Sequence, residues 1–181
     1  MLQVQLKSMP AGAQAGASLI VSLILLAVIA LLVVYGAQPM LTEQKISSNQ
    51  NDRNMAFQLA ELGLKAGESY VATNKPALSS FAADCTGGLC LPSQSAGGTN
   101  AWERSNVFTG SYNNSLQCTS CTFSAGSDSQ QKPRYIVELL DTNYSDAITG
   151  TTGVTLYRIT SRAWGRNANT QVTLQSYYVV S

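Results

Sequence analysis

Residues 17–34 read ASLIVSLILLAVIALLVV, an 18-residue run whose only polar members are Ser18 and Ser22. Hydrocarbon about 30 Å thick needs roughly 20 apolar residues in a helix, and Tyr35, Gly36 and Ala37 extend the run to that length. No charged residue occurs between Lys7 and Glu43. A cleaved secretory signal usually has an apolar core of about 7–15 residues ending at a small-x-small site. Here the run is longer, and cleavage after Ala37 would put Tyr35 where a small residue belongs. The run therefore reads as a retained membrane helix.

Working outward, the composition narrows the function classes. The 181 residues include 11 Lys+Arg, 10 Asp+Glu and no His, for a formal net charge of +1. Charged residues make up 12%, about half the usual share of roughly 25%. Nucleic-acid binding by counterion release needs clustered Lys and Arg, so no direct nucleic-acid partner is expected. Without His there is no Ser-His-Asp triad, Cys-His dyad, HExxH metal site or imidazole proton shuttle.

C-terminal to the apolar run, from about Leu41, the chain turns polar and keeps a helical pattern. Met55, Leu59, Leu62, Ala66 and Tyr70 recur mostly at spacings of three or four, which predicts an amphipathic helix. Glu61 and Lys65 are placed for an i, i+4 pair in the favourable orientation. Lys75-Pro76 supplies the stop, because the residue before proline disfavours the α region. Pro39, helped by Gly36, predicts a kink or local opening over 35–39. That weak point reads first as a membrane-exit boundary, and second as a segment that unwinds when subunits pack into a fibre.

From Pro76 to Lys132 the chain is rich in Ser, Gly, Asn and Thr, with turns marked by Gly87-Gly88, Gly97-Gly98 and Asn113-Asn114. Ser124–Lys132 has the composition of a low-complexity segment. All four cysteines lie in this region: Cys85, Cys90, Cys118 and Cys121. The spacing permits a four-thiolate zinc site or two disulfides. With a cytoplasmic N-terminus everything beyond Pro39 lies outside, where oxidised pairs persist, so disulfides are the preferred reading and no metal or cofactor is expected. Four cysteines allow three connectivities, and sequence alone does not choose among them. The local pairs Cys85–Cys90 and Cys118–Cys121 are preferred because each closes a short loop. A CxxC redox site is disfavoured because no βαβ pattern surrounds it. Trp102, beside Glu103-Arg104, reads as a loop anchor.

Three strand-like runs follow: Arg134 to Leu140, Val154 to Trp164 and Asn169 to Val180. In the last, Val172, Leu174, Ser176, Tyr178 and Val180 share one face. Gly165-Arg166-Asn167 reads as a hairpin turn. The three strands predict an antiparallel meander whose apolar face packs on Met55, Leu59, Leu62 and Ala66, giving an α+β fold. Arg158, Arg162 and Arg166 form a basic strip read as a solvated outer face.

Three stretches carry a family resemblance. Gln14-Ala15-Gly16-Ala17-Ser18 resembles the leader junction of type IV pilin-like proteins, where a prepilin peptidase cuts after the Gly and the apolar helix is kept. Asn51-Asp52-Arg53-Asn54-Met55-Ala56-Phe57-Gln58-Leu59-Ala60-Glu61 resembles the PilX N-terminal pattern. RYIVELL, LYRITSRAWG and VTLQSYYVV look like the closing strands of PilX/PilK minor pilins. The resemblance departs at two points: Val21 stands where most major pilins carry Glu, and no basic residue precedes Gly16. The first departure matches PilX/PilK minor pilins and tip pseudopilins.

That resemblance implies a pilin-like fold: a leader over 1–16, a membrane and assembly helix over 17–38, and an amphipathic half-helix over 39–74. A loop-rich variable region over 75–133 and a C-terminal antiparallel sheet over 134–181 complete it. It implies cleavage between Gly16 and Ala17, and a structural rather than enzymatic role in starting pilus assembly. The chain would sit in the bacterial inner membrane with a periplasmic C-terminal domain, then at the pilus tip or in the fibre. Its partners would be other minor pilins, the major pilin, the prepilin peptidase and a tip adhesin, in support of adhesion, twitching motility or DNA uptake. Methylation of the new N-terminus belongs to the same picture. Val21, Pro39, Asp52, Arg53 and Phe57 mark the assembly helix. Asp52 and Arg53 read either as solvated surface or as pairing with neighbouring subunits, and Phe57 as packing under the head domain. A type II secretion pseudopilin has the same architecture, but its tip members tend to be larger. An enzyme or binding module tethered to the membrane would need a convergent polar site, and Glu61 and Glu68, two turns apart on the helix, do not make one.

Overall fold

A computed structural model describes residues 15–93, 98–119, 121, 132–146, 150 and 152–180, with backbone alone at 15 and 37–41. The chain divides into two compact units, Met1–Ser48 and Asn49–Ser181. One helix, α1 (Ala15–Asn74), contributes to both. The helical backbone continues through residues 35–39, so the opening expected at Pro39 is not present in the secondary structure. Proline there removes only one backbone N–H from a ladder that is otherwise uninterrupted. The helix ends where expected: Lys75 takes a left-handed conformation (φ 41°) and its N–H still reaches the Val71 carbonyl at 3.0 Å. Pro76 then prevents further helix.

In the second unit α1 packs on a mixed five-stranded sheet. The strands are β1 (Leu89–Cys90), β2 (Leu116–Gln117), β3 (Arg134–Tyr144), β4 (Val154–Trp164) and β5 (Gln171–Val180). β3, β4 and β5 form the expected antiparallel meander. β3 runs four residues beyond the expected Leu140, with register shifts near Asp141. β1 joins the other edge of β3 in parallel, and β2 joins it antiparallel. These two-residue strands are too short to carry a period, so the alternation rule had nothing to detect.

The helix face of the sheet holds Tyr135, Val137 and Leu139 of β3 with Tyr157 and Ile159 of β4, packed on Val71, Phe81 and Leu89. Ala163 joins Leu59 and Ala60, with Val172 and Leu174 of β5 alongside. The predicted inward face of β5 is therefore correct. On α1, Met55, Leu59 and Ala66 pack on the core as expected, and Leu62 does not. Ala56, Leu59, Ala60, Gly63, Gly67 and Val71 are buried, whereas Leu62 is 41% exposed. A Cβ on Gly67 would lie 2.6 Å from Ile159 Cγ2, and one on Gly63 would overlap Ser161 Oγ. The sheet comes so close that the seam uses small residues. Leu62, one residue and about 100° before Gly63, falls outside that seam.

Candidate assembly surfaces

Four regions supply surface or the scaffold behind it. The first is the apolar part of α1. Gly16–Gly36 is long and apolar enough to cross a membrane, with a mean hydropathy of 3.2 and none of it buried. Val21 is exposed there, so the fifth position after Gly16 offers an aliphatic side chain and no carboxylate. The Ser22 hydroxyl donates to the Leu19 carbonyl at 2.9 Å, which satisfies it within the helix and suits an apolar surrounding. Gly16 and Ala17 are both exposed.

The second is the clasp that closes the sheet onto the helix. Asp52 accepts hydrogen bonds from the backbone N–H groups of Arg166 and Asn167 in the β4–β5 turn. Thr170 adds a side-chain hydrogen bond, the largest cause of a carboxyl pKa held below its ordinary value, against a smaller opposing effect of burial. A Cβ on Gly165 would lie 2.5 Å from Asp52 Oδ1, so a side chain there would push the carboxylate away from the turn. Asp52 thus has an intrachain task that neither a solvated face nor an intersubunit pair describes. The turn runs from Gly165 to Thr170, longer than the predicted Gly165-Arg166-Asn167, and is closed by Gly165 N–H to Thr170 O at 2.9 Å.

The third is the face of the sheet turned away from the helix, covered by loops of the variable region. Arg158 pairs with Glu138 at 2.7 Å, with side-chain exposures of 19% and 1%, and its guanidinium lies 4.7 Å from the Trp102 ring centre. Arg162 stacks on Phe108 at 4.9 Å and donates to Thr173 Oγ1 at 2.8 Å. Arg134 lies over Tyr112 at 5.5 Å and donates to the carbonyls of Tyr112 and Ser115 at 2.8 and 2.7 Å. Burial lowers the pKa of Arg134 and of Arg162. The solvated basic strip is therefore corrected at Arg158 and Arg162, which are roofed by aromatic side chains, whereas the Arg166 side chain is exposed as expected. Trp102 is the loop anchor expected of it. The acid missed by sequence reasoning is Glu138, directly across from Arg158 in the β3–β4 register. The signal for it was available, since opposite charges on facing strands pair, but the register was not.

The loops of this cover are stapled. Cys85 bonds to Cys90 and Cys118 to Cys121, the two local pairs, so the zinc reading is overturned. Arg104 donates to the carbonyls of Ala83 and Leu91, both at 2.8 Å, tying the segment that carries Trp102 to the Cys85–Cys90 loop. Gly88 has φ +78°, and a Cβ there would lie 2.8 Å from Leu116 Cγ. Ser124–Lys132 falls almost wholly outside the described residues.

The fourth is a groove between α1 and β5, lined by Arg53, Phe57, Val172 and Leu174 among others. Phe57 is 44% exposed, which corrects its expected place under the head. It sits on the helix flank one step past the seam, where Ala56 takes the buried position. Glu61 and Lys65 are both exposed and form no ion pair among the described residues. Glu68 is half-buried and accepts from the Ser176 hydroxyl at 2.9 Å.

Comparison with known proteins agrees with this architecture. Residues 15–65 match the family model described as PilX N-terminal, and residues 62–180 match the one described as type IV pilus assembly protein PilX C-term. Neither a curated protein nor a solved structure gives a significant match. The two family models overlap and together cover residues 15–180, so the chain belongs to the PilX family of type IV pilus assembly proteins.

Proposed function

We propose that this chain is a minor pilin that helps to start a type IV pilus in a tip complex with other minor pilins. The observation that carries the reading is the uncovered apolar stretch Gly16–Gly36 with Val21 in its fifth position after Gly16. Such a stretch is stable in lipid, and on leaving lipid it must be buried among similar helices, because its exposure to water is strongly unfavourable. A carboxylate inside that bundle would need a partner. A subunit with an aliphatic side chain there makes no demand on a neighbour above it, which suits the tip. The two disulfides fit an oxidising compartment outside the inner membrane.

In this reading a prepilin peptidase cuts between Gly16 and Ala17, the helix stays in the inner membrane with the second unit periplasmic, and the subunit then passes into the pilus. The partners are other minor pilins, the major pilin and a tip adhesin, and the pilus supports adhesion, twitching motility or DNA uptake. The same architecture would serve a type II secretion pseudopilin, and the surface appendage lost on deletion separates the two. N-terminal sequencing of the processed chain tests the proposal: Ala17 is the expected first residue. Replacing Gly16 with Trp is expected to leave the precursor uncut and the cells without pili. A Gly16→Trp chain processed at the normal rate would refute it.

A further inference from the structure

β5 (Gln171–Val180) forms one edge of the sheet. It pairs with β4 from end to end without a register shift, and it contains no charged residue and no proline. Natural edge strands are blunted by Lys, Pro, bulges or short length, because an open row of N–H and C=O groups invites a further strand. The opposite edge is treated in that way: β1 and β2 pair along β3 as far as Glu138, and register shifts interrupt it beyond Leu139. Among the described residues no strand pairs with β5 on its far side. Both faces beside this edge are apolar and open. On the helix face, Val172 and Leu174 line the groove with Phe57, which is 44% exposed. On the other face, Tyr177 and Val179 are 64% and 44% exposed. Water satisfies the edge but gains nothing from these side chains. An extended chain satisfies both, with its backbone on β5 and alternate side chains on the two faces.

We infer that the free edge of β5 receives an extended, uncharged segment of a different protein of the pilus assembly. One apolar side chain of that segment enters the Phe57 groove and another lies over Tyr177 and Val179. The kind of partner rests on the proposed assembly role, and the site rests on β5. A second copy of this chain does not fit. The sheet's other edge is covered and interrupted, so the strand a copy could offer is its own β5. Two-fold antiparallel pairing of β5 with β5 would give a closed dimer and set the helix over residues 49–74 of one copy against the direction of the other. Copies anchored through Gly16–Gly36 enter one membrane in the same direction. Asp52 holds the β4–β5 turn, which keeps the start of β5 in place beside the groove before any partner arrives.

The test uses the full-length chain in its own cells. The photoreactive residue benzoylphenylalanine replaces Phe57 in one strain and Tyr177 in another, ultraviolet light fixes the contacts, and mass spectrometry maps the linked residues. Both positions are expected to link to one segment of one other protein. Val172 and Leu174 face the helix and Tyr177 faces away, so the two linked residues should be an odd number apart, about three to five at the strand's spacing. A partner resting on one face of the sheet cannot give that pattern. Gln171→Lys together with Val179→Lys, both at exposed positions, is expected to lower both links several-fold, and retention of the two native disulfides checks that the variant folds. Links to unrelated segments, an even separation, links to a second copy or within the chain, no link at either position, or undiminished links in the Lys variant would each overturn the inference. N-terminal sequencing judges the minor-pilin role separately, so correct processing at Ala17 with no shared segment refutes the edge contact alone.

Discussion

The two faces of the sheet are covered in opposite ways. On the helix face, α1 lies against Tyr135, Val137, Tyr157 and Ile159 through Gly63 and Gly67, and the contact is almost wholly apolar. On the other face, loops cover Arg134, Arg158 and Arg162, each guanidinium set against an aromatic ring. A helix satisfies its own backbone polar groups and can present a smooth apolar flank. A loop cannot, so its carbonyls need donors, and arginine supplies several in a planar fork that also stacks on rings. Arg134 and Arg104 show the arrangement: each donates to loop carbonyls from a fixed position. A face covered by loops therefore favours charged, hydrogen-bonding side chains at positions that alternation would assign to solvent.

That contrast is open to attack from both sides. The largest expected effect is on the helix face: Gly67→Leu forces a side chain into Ile159 and Tyr135 and should cost about 3 kcal/mol or more. Thermal unfolding of the detergent-solubilised chain measures it, and a cost under about 1 kcal/mol would show that the seam is not tight. On the loop face, Glu138→Ala strands Arg158 in a largely buried site and should cost about 3 kcal/mol. Because Trp102 still holds the guanidinium, the double variant Glu138→Leu with Arg158→Met is expected to recover much of the loss. Replacing Cys85 and Cys90 together by Ser should cost about 2 kcal/mol. It should also raise protease sensitivity around Trp102 while leaving the helix signal in circular dichroism unchanged.

The smallest effects are those of pH. Burial, with a lesser contribution from Tyr70, pushes the Tyr135 phenol from 10.0 up to about 12. The folded state thus favours the neutral phenol. Its contribution is complete below pH 10.0 and is lost as pH rises from there toward about 12. Tyr135→Phe should flatten the alkaline limb of the stability profile. Asp52 has the opposite sign. Its pKa lies below 3.8 in the folded chain, so its contribution is present above that value and is lost as pH falls through the folded pKa. Asp52→Asn should flatten the acid limb and loosen hydrogen-exchange protection in the β4–β5 turn. An unchanged acid limb would mean that the clasp contributes nothing to stability.

Much of the architecture was legible along the chain, for particular reasons. The apolar run, the Lys75-Pro76 stop and the alternation of β5 are local patterns with one physical period each. The local disulfides followed from loop length once an outside compartment was assumed. On the helix seam only Leu62 was misassigned, because Gly63 takes the buried position beside it and periodicity weighs large residues. The arginine strip was misread because its partners, Trp102, Phe108 and Glu138, come from segments 20 to 56 residues away.

The amino-acid sequence by itself determined that this chain has a lipid-compatible helix without a carboxylate at Val21, a three-strand meander and a loop region that holds all four cysteines. Each follows from neighbouring residues, through transfer energy, side-chain alternation or composition. Only the tertiary structure decided that Asp52 faces inward to a turn 114 residues later, that Gly63 and Gly67 form the seam, and that Phe57 is left in the open. Those outcomes depend on how closely a helix and a twisted sheet approach each other. That distance is set by the summed packing of both surfaces, and no local stretch of sequence contains it.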